Sequence, residues 1–309
     1  MLNFKSTKNL SLLLVFFIVI CISSTAAAQF PVTVRDDLGT EVTLEKEPER
    51  IISLAPNVTE MLFSIGLADK IVAVTDYADY PEAAMDKDTV GTITDPSIEK
   101  IVSLEPDLVI AAKINKEEII SELRSLGIKV AGFDPTGIDE TLYTMKQVGR
   151  LTGNSREAQK VVTDLHLKLS EISQAVNSVL ENKERPEVFY EIWNDPLSTA
   201  GAGTFIDDMI EKAGGTNIGR EASGAWPQYS LEMLLIQDPE VYISSPHSAS
   251  HEVTPEKIKN RKNYDKLRAV KNDRIYIVNQ DIVSRPSPRI IDGLKEFVKA
   301  IFPELAEEI

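Results

Sequence analysis

Two glutamates stand at matching places in two segments that read alike. PSIEKIVSLEPDLVI occupies residues 96–110, and SLEMLLIQDPEVYI begins at Ser230. Ser97, Glu99, Pro106 and Ile110 recur as Ser230, Glu232, Pro239 and Ile243, each displaced by 133 residues. A single carboxylate in the first turn of a helix does little more than favour the helix dipole, by about 0.3 to 1 kcal/mol. Two carboxylates on two copies of one module make a pair of acidic projections suited to a partner that is itself two-fold. His247 and His251, with Glu252 beside the second, have the H-x-x-x-H spacing that binds zinc on a helix. SPHSAS reads as a loop, which removes the geometric reason for that spacing, so no metal site is expected. Catalysis lacks its usual parts: there is no G-x-G-x-x-G, no P-loop and no G-x-S-x-G elbow, and Cys21 is the only thiol. A non-enzymatic role is therefore expected.

The elements that must position the two glutamates alternate helix and strand. PVTVRDDLGTEVTL alternates apolar and polar residues around Asp37-Leu38-Gly39 and predicts a hairpin. RIISLA predicts a buried strand, and PNVTE a helix start with Asn57 as N-cap and Glu60 completing a capping box. Gly66 closes that helix, and KIVAVT is the next strand. In the repeated segment Asp95 is the expected cap, Pro96 suits the first turn, and Ile98, Ile101, Val102 and Leu104 form the apolar stripe before Pro106. Residues 108–111 are a further strand, giving a largely parallel α/β lobe. From Val161 the apolar positions Leu165, Leu169, Ile172, Val176 and Val179 fall at helical spacing. They predict one long amphipathic strut, separated at Gly153-Asn154 from the earlier helix TLYTMKQVGRL. Beyond it the pattern restarts with EVFYEIW, TFIDDMIEKAGG, the second copy of the repeat, VYIS, RIYIVN and a closing helix over 288–302.

A chain of 309 residues with 43% hydrophobic content has room for two ordinary cores. Lys5 and Lys8, the apolar run over 10–22 and SSTAAAQ predict an export signal cut after Ala28. A lipid anchor on Cys21 is the alternative; Ile20 before it is a poor fit to the peptidase that makes such anchors. Loss of 1–28 leaves 31 basic against 48 acidic residues, which argues against nucleic acid and anionic membrane surfaces as partners. The expected divisions are 1–28 signal, 29–138 first α/β lobe, 139–184 linking helices and 185–309 second α/β lobe.

The ordered set RIISLAPNVTEMLFSIGL, VTDYADYP, PSIEKIVSLEPDLVIA, GAWPQYSLEMLL and SRPSPRI resembles the periplasmic binding proteins of ABC importers for cobalamin, iron-siderophores and haem, over about residues 31 to 303. The likeness is nearest to the cobalamin binders, through DYADYP and WPQYS. What the resemblance implies is two α/β lobes joined by a long rigid backbone helix, with ligand in the cleft between them and no cofactor. The implied ligand is a corrinoid, an iron-siderophore or haem being the alternative. One exposed glutamate per lobe docks on arginines of the dimeric permease in that family, and those positions fall on Glu99 and Glu232. The protein itself is expected to be a monomer, exported to the periplasm or to the extracytoplasmic membrane surface.

The resemblance also assigns the cleft. Tyr77 and Trp226 stand where the cobalamin binders present aromatic rings to a flat macrocycle, and Asn57, Ile93 and Arg285 fall at the same cleft. A half-buried core ring is the competing reading of each aromatic. Ile93 and Ala112 depart from the pattern, since relatives carry tryptophan there. Trp193, just after the strand of the second lobe, is a replacement face. Arg285 and Arg289 are the cations an anionic chelate would need, and so few of them weigh against a heavily charged siderophore.

Overall fold

The computed structural model describes residues 30–246 and 253–309. The expected export signal with Cys21, and the stretch holding His247, His251 and Glu252, lie outside the described residues. The first described element is the predicted hairpin, β1 (Val32–Arg35) antiparallel to β2 (Glu41–Leu44) with Val34 opposite Val42. Asp36 ties the hairpin to the first lobe: its carboxylate accepts from the Gly132 amide at 2.9 Å and from Arg124 Nη2 at 2.7 Å.

That lobe runs β3 (Ile51–Ser53), α1 (Pro56–Ser64), β4 (Ile71–Val74), β5 (Asp88–Thr89), α2 (Ile98–Ser103), β6 (Leu108–Ala112), α3 (Glu117–Ser125) and β7 (Val130–Phe133). Its strands pair in parallel in the order β5-β4-β3-β6-β7. Every residue of β3, β6 and β7 is buried, as continuous apolar runs must be when helices cover both faces of a parallel sheet. Two helices come next, α4 (Ile138–Leu151) and the 26-residue α5 (Ser155–Leu180), about 39 Å long at the α-helical rise. The strut thus begins six residues before Val161. Gly153, with φ +79°, makes the turn that folds α5 back on α4.

The second lobe comprises β8 (Glu187–Asn194), β9 (Leu197–Thr199), α6 (Phe205–Lys212), β10 (Thr216–Asn217), α7 (Leu231–Gln237), β11 (Val241–Ser244), α8 (Pro255–Lys259), α9 (Arg268–Lys271), β12 (Ile275–Ile277), α10 (Gln280–Ser284) and α11 (Ile290–Ile301). Its parallel order is β10-β8-β11-β12, with β9 antiparallel on β8. Trp193 lies inside β8, opposite Ser198, within the expected strand EVFYEIW rather than just after it.

The repeat is structural as well as sequential. Ser97 and Ser230 cap α2 and α7, their hydroxyls accepting from the Lys100 and Met233 amides at 3.2 and 3.1 Å. Both segments then turn through a left-handed residue, Glu105 and Asp238, each at φ 46°, before a proline and a strand flanked on both sides. Asp95 is therefore not the cap. Pro96 forms an isolated bridge with Gly91, and the serine hydroxyl one residue on takes the role for which it is well suited.

Each sheet owns a separate apolar layer on one face, around Ile52, Ile101 and Leu123 in the first lobe and Phe189, Tyr242 and Leu267 in the second. The layer on the other face is shared. Val58 and Leu62 of α1, Leu142 and Met145 of α4, Ile172 and Val176 of α5 and Leu294 and Phe297 of α11 belong to one contiguous core.

Candidate functional site

A cavity of about 450 Å³ opens where the two lobes meet. The first lobe contributes the start of α1 (Pro56, Asn57), Tyr77 after β4, Ile93, the end of β6 with Lys113 and Ile114, and Asp134 after β7; the second contributes α10 and Pro286. In a parallel sheet these are the carboxyl ends of the strands, where loops from neighbouring strands diverge and leave a crevice. Tyr77 is 56% exposed, a large ring left open to solvent. Asn115 braces the opposite wall: its side-chain amide donates to the Leu54 and Ile93 carbonyls at 2.9 and 2.7 Å, and its oxygen accepts from the Ala112 amide at 2.8 Å.

Of the sequence-assigned cleft residues, Asn57, Tyr77, Ile93 and Arg285 come together here, joined by Ala112. Trp193 and Trp226 do not line this cavity. They sit on either side of one short ribbon of the second lobe, in which Ser198 faces Trp193 on one flank and bridges Gln228 on the other. Both are open to solvent, 38% and 57%. Glu99 and Glu232 are exposed in the first turns of α2 and α7.

The start of α1 differs from expectation. Its N-cap is Ala55, in extended backbone and without a side-chain cap, because Pro56 already occupies the first helical position. Asn57 is thereby one residue inside the helix, buried at the cavity edge, and Glu60 has no capping box to complete. Its carboxylate is instead 1% exposed and turned to the other lobe. Ser287 Oγ donates to Oε2 at 2.6 Å, Arg289 Nε to Oε2 at 2.8 Å, Arg289 Nη2 to Oε1 at 2.5 Å and Arg285 Nη1 to Oε1 at 3.3 Å. Arg285 is held besides by Asp79 at 2.6 Å and Asp281 at 2.9 Å, and Arg289 lies 3.9 Å over the Tyr80 ring. The helix is buried from Pro56 to Leu62, Glu60 included, and a carboxylate so placed needs a buried counter-charge.

The hydrogen bond from Arg285 is the largest influence on Asp79, holding its carboxyl below the usual carboxylate range. A depressed native value means a contribution present at neutral pH and lost as pH falls through that value. Asp79→Asn is accordingly expected to flatten the acid limb of a urea-stability profile below about pH 4, with a small effect at pH 7 because the side chain is half exposed.

Among the described residues every cation at the cavity is already matched. Lys113 pairs with Asp134 at 2.7 Å, and Arg285 faces three carboxylates, so the lining offers no surplus positive charge. Among the described residues no group of three or more His, Cys, Asp or Glu side chains is placed to hold a metal ion.

Two parallel α/β lobes, a helical strut and a crevice walled by both define a substrate-binding protein of the two-lobed, helix-bridged class. The chain belongs to the periplasmic binding protein family, whose model matches residues 51–282. It is 31% identical over 249 residues to a vitamin B12-binding protein of Vibrio cholerae, covering 80% of this chain and 87% of that one. It is 30% identical over 284 residues to an uncharacterized ABC transporter substrate-binding lipoprotein of Bacillus subtilis, covering 90% and 88%. Among solved structures, a possible iron-binding (periplasmic solute-binding) protein from Staphylococcus epidermidis superposes with a TM-score of 0.74 at 34% identity, covering 83% of this chain and all of the other.

Proposed function

We propose that the protein is an exported receptor that captures a corrinoid in the crevice between its lobes and delivers it to the permease of an ABC importer. The observation that carries the choice of ligand is the charge balance of the cavity. A cobalamin is neutral overall and edged with amides, so it asks for aromatic and amide contacts rather than for free cations. Tyr77 supplies an exposed ring and Asn57 an amide, while the cavity's cations already face carboxylates. The relationship to the Vibrio cholerae protein supports the same cargo. Trp226 and Trp193, open to solvent on the second lobe, are the surfaces on which the far edge of a macrocycle would rest.

Iron-siderophore or haem is the competing cargo, favoured by the likeness to the Staphylococcus epidermidis protein. An anionic chelate would have to displace Asp79 or Asp134 from its cation before binding, at the expense of a charge pair.

Titration of the purified protein with cyanocobalamin, haem and a ferric siderophore, followed through quenching of its two tryptophans, decides between them. Saturable quenching by cyanocobalamin alone is expected. Tyr77→Ala should weaken that binding by about 1 to 3 kcal/mol, the loss typical of a large aromatic contact. Saturation by a ferric siderophore with no response to cyanocobalamin would overturn the reading.

A further inference from the structure

We propose that Glu60 is a positioning residue: an ionic latch across the lobe seam that fixes the width of the cleft before any ligand arrives. The carboxylate belongs to α1 of the first lobe, and its four donors come from Arg285, Ser287 and Arg289 of the second. Cavity residues and latch residues lie on the same two segments, and Arg285 belongs to both sets. Pro56 and Asn57 line the cavity one turn before Glu60, and Ser284, Arg285 and Pro286 line it just before Ser287 and Arg289. The DYADYP segment has the same double use, with Tyr77 at the cavity, Asp79 on Arg285 and Tyr80 beneath Arg289.

Any motion that widens the cleft along this edge must draw Glu60 away from its donors. The Glu60 side chain is 1% exposed and those of Arg285 and Arg289 are 16% and 17% exposed, so little water reaches the parting charges and opening strands a buried carboxylate. The shared apolar core also resists separation, but apolar packing is non-directional. The fork of Arg289 on both carboxylate oxygens is directional and specifies one spacing. That the preset gap is a ligand gap rests on the function proposed above; the latch itself does not.

The test is a distance measurement without ligand. Spin labels are attached at Ser125→Cys on the first lobe and Lys266→Cys on the second, both exposed positions, in a Cys21→Ser background. The parent should give one narrow interlobe distance that cyanocobalamin leaves in place. Glu60→Gln should broaden the distribution or shift it by more than about 2 Å, the scale of a genuine domain rearrangement. Arg289→Lys, which keeps the charge and loses the fork, should do so in part, and it serves if Glu60→Gln does not fold. Glu191→Gln is the control: it disturbs a buried ion pair lying wholly within the second lobe and should lower stability without moving the distance. An unchanged distribution in both latch variants overturns the proposal, as does equal broadening in Glu191→Gln. Failure of cyanocobalamin to bind would sink the ligand reading and leave the distance result standing.

Discussion

Reversing both repeated glutamates, Glu99→Arg with Glu232→Arg, is expected to abolish delivery of cargo while its dissociation constant stays within a few-fold of the parent. The reasoning begins with placement. Both side chains are exposed in the first turns of short helices at equivalent points of the two lobes, and neither lines the cavity. A permease dimer that receives one carboxylate on each subunit is held by two linked contacts, and the second strengthens the first by effective concentration, typically about 10²–10⁴ in avidity. Each reversal also places like charges together, which costs several kcal/mol at an interface. Single reversals should therefore impair uptake and the pair should eliminate it. The measurement is ligand uptake into vesicles containing the cognate permease, alongside fluorescence titration of each variant. Full uptake by the double variant would remove these residues from any docking role.

The largest stability effect is expected from Glu191→Ala. Glu191 sits on β8, its side chain 1% exposed, and accepts from both terminal nitrogens of Arg261 and from the Tyr242 hydroxyl. Burial and this carboxylate push the Tyr242 phenol well up, so it remains a donor. Removing the acceptor leaves a guanidinium only 20% exposed without its charge partner and a buried hydroxyl without its acceptor. The combined loss is about 3 kcal/mol. Glu187→Ala is the contrast, because Glu187 and Arg268 are each 41% exposed, and pairs of that kind contribute about 0 to 1 kcal/mol. Urea midpoints of the two variants should differ accordingly, and equal midpoints would show that Glu191 is better hydrated than its packing implies.

Much of the architecture could be read directly from residue patterns. The hairpin at residues 32–44, the buried strands, the strut and the paired motifs were legible because each rests on local periodicity or on punctuation by glycine and proline. What escaped was long-range or ambiguous locally. Ser-x-x-Glu and Asn-x-x-Glu spacing signals a capping box only when the first residue is the cap, and Pro56 moved the cap back to Ala55. Glu60 was thereby freed for partners more than 220 positions away, which no spacing rule reaches. Asp95 was the expected cap, but Pro96 is held in a bridge to Gly91 and Ser97, one residue on, caps α2. Tyr77 was assigned to the cleft by resemblance, and its ring is found at the cavity. Asn115, the brace behind Ile93 and Ala112, carries no local signature at all.

The apolar layer common to both lobes has a consequence for what the chain tolerates. Each lobe keeps a private apolar layer on one face of its sheet. Their opposite faces meet across α4, α5 and α11 in a single mass, with Val162, Leu165 and Val176 of the strut contributing to it. Fission at the strut would bare that mass to water on both fragments. The two lobes are mutually dependent through this layer, and neither can be removed without exposing the apolar face of the other.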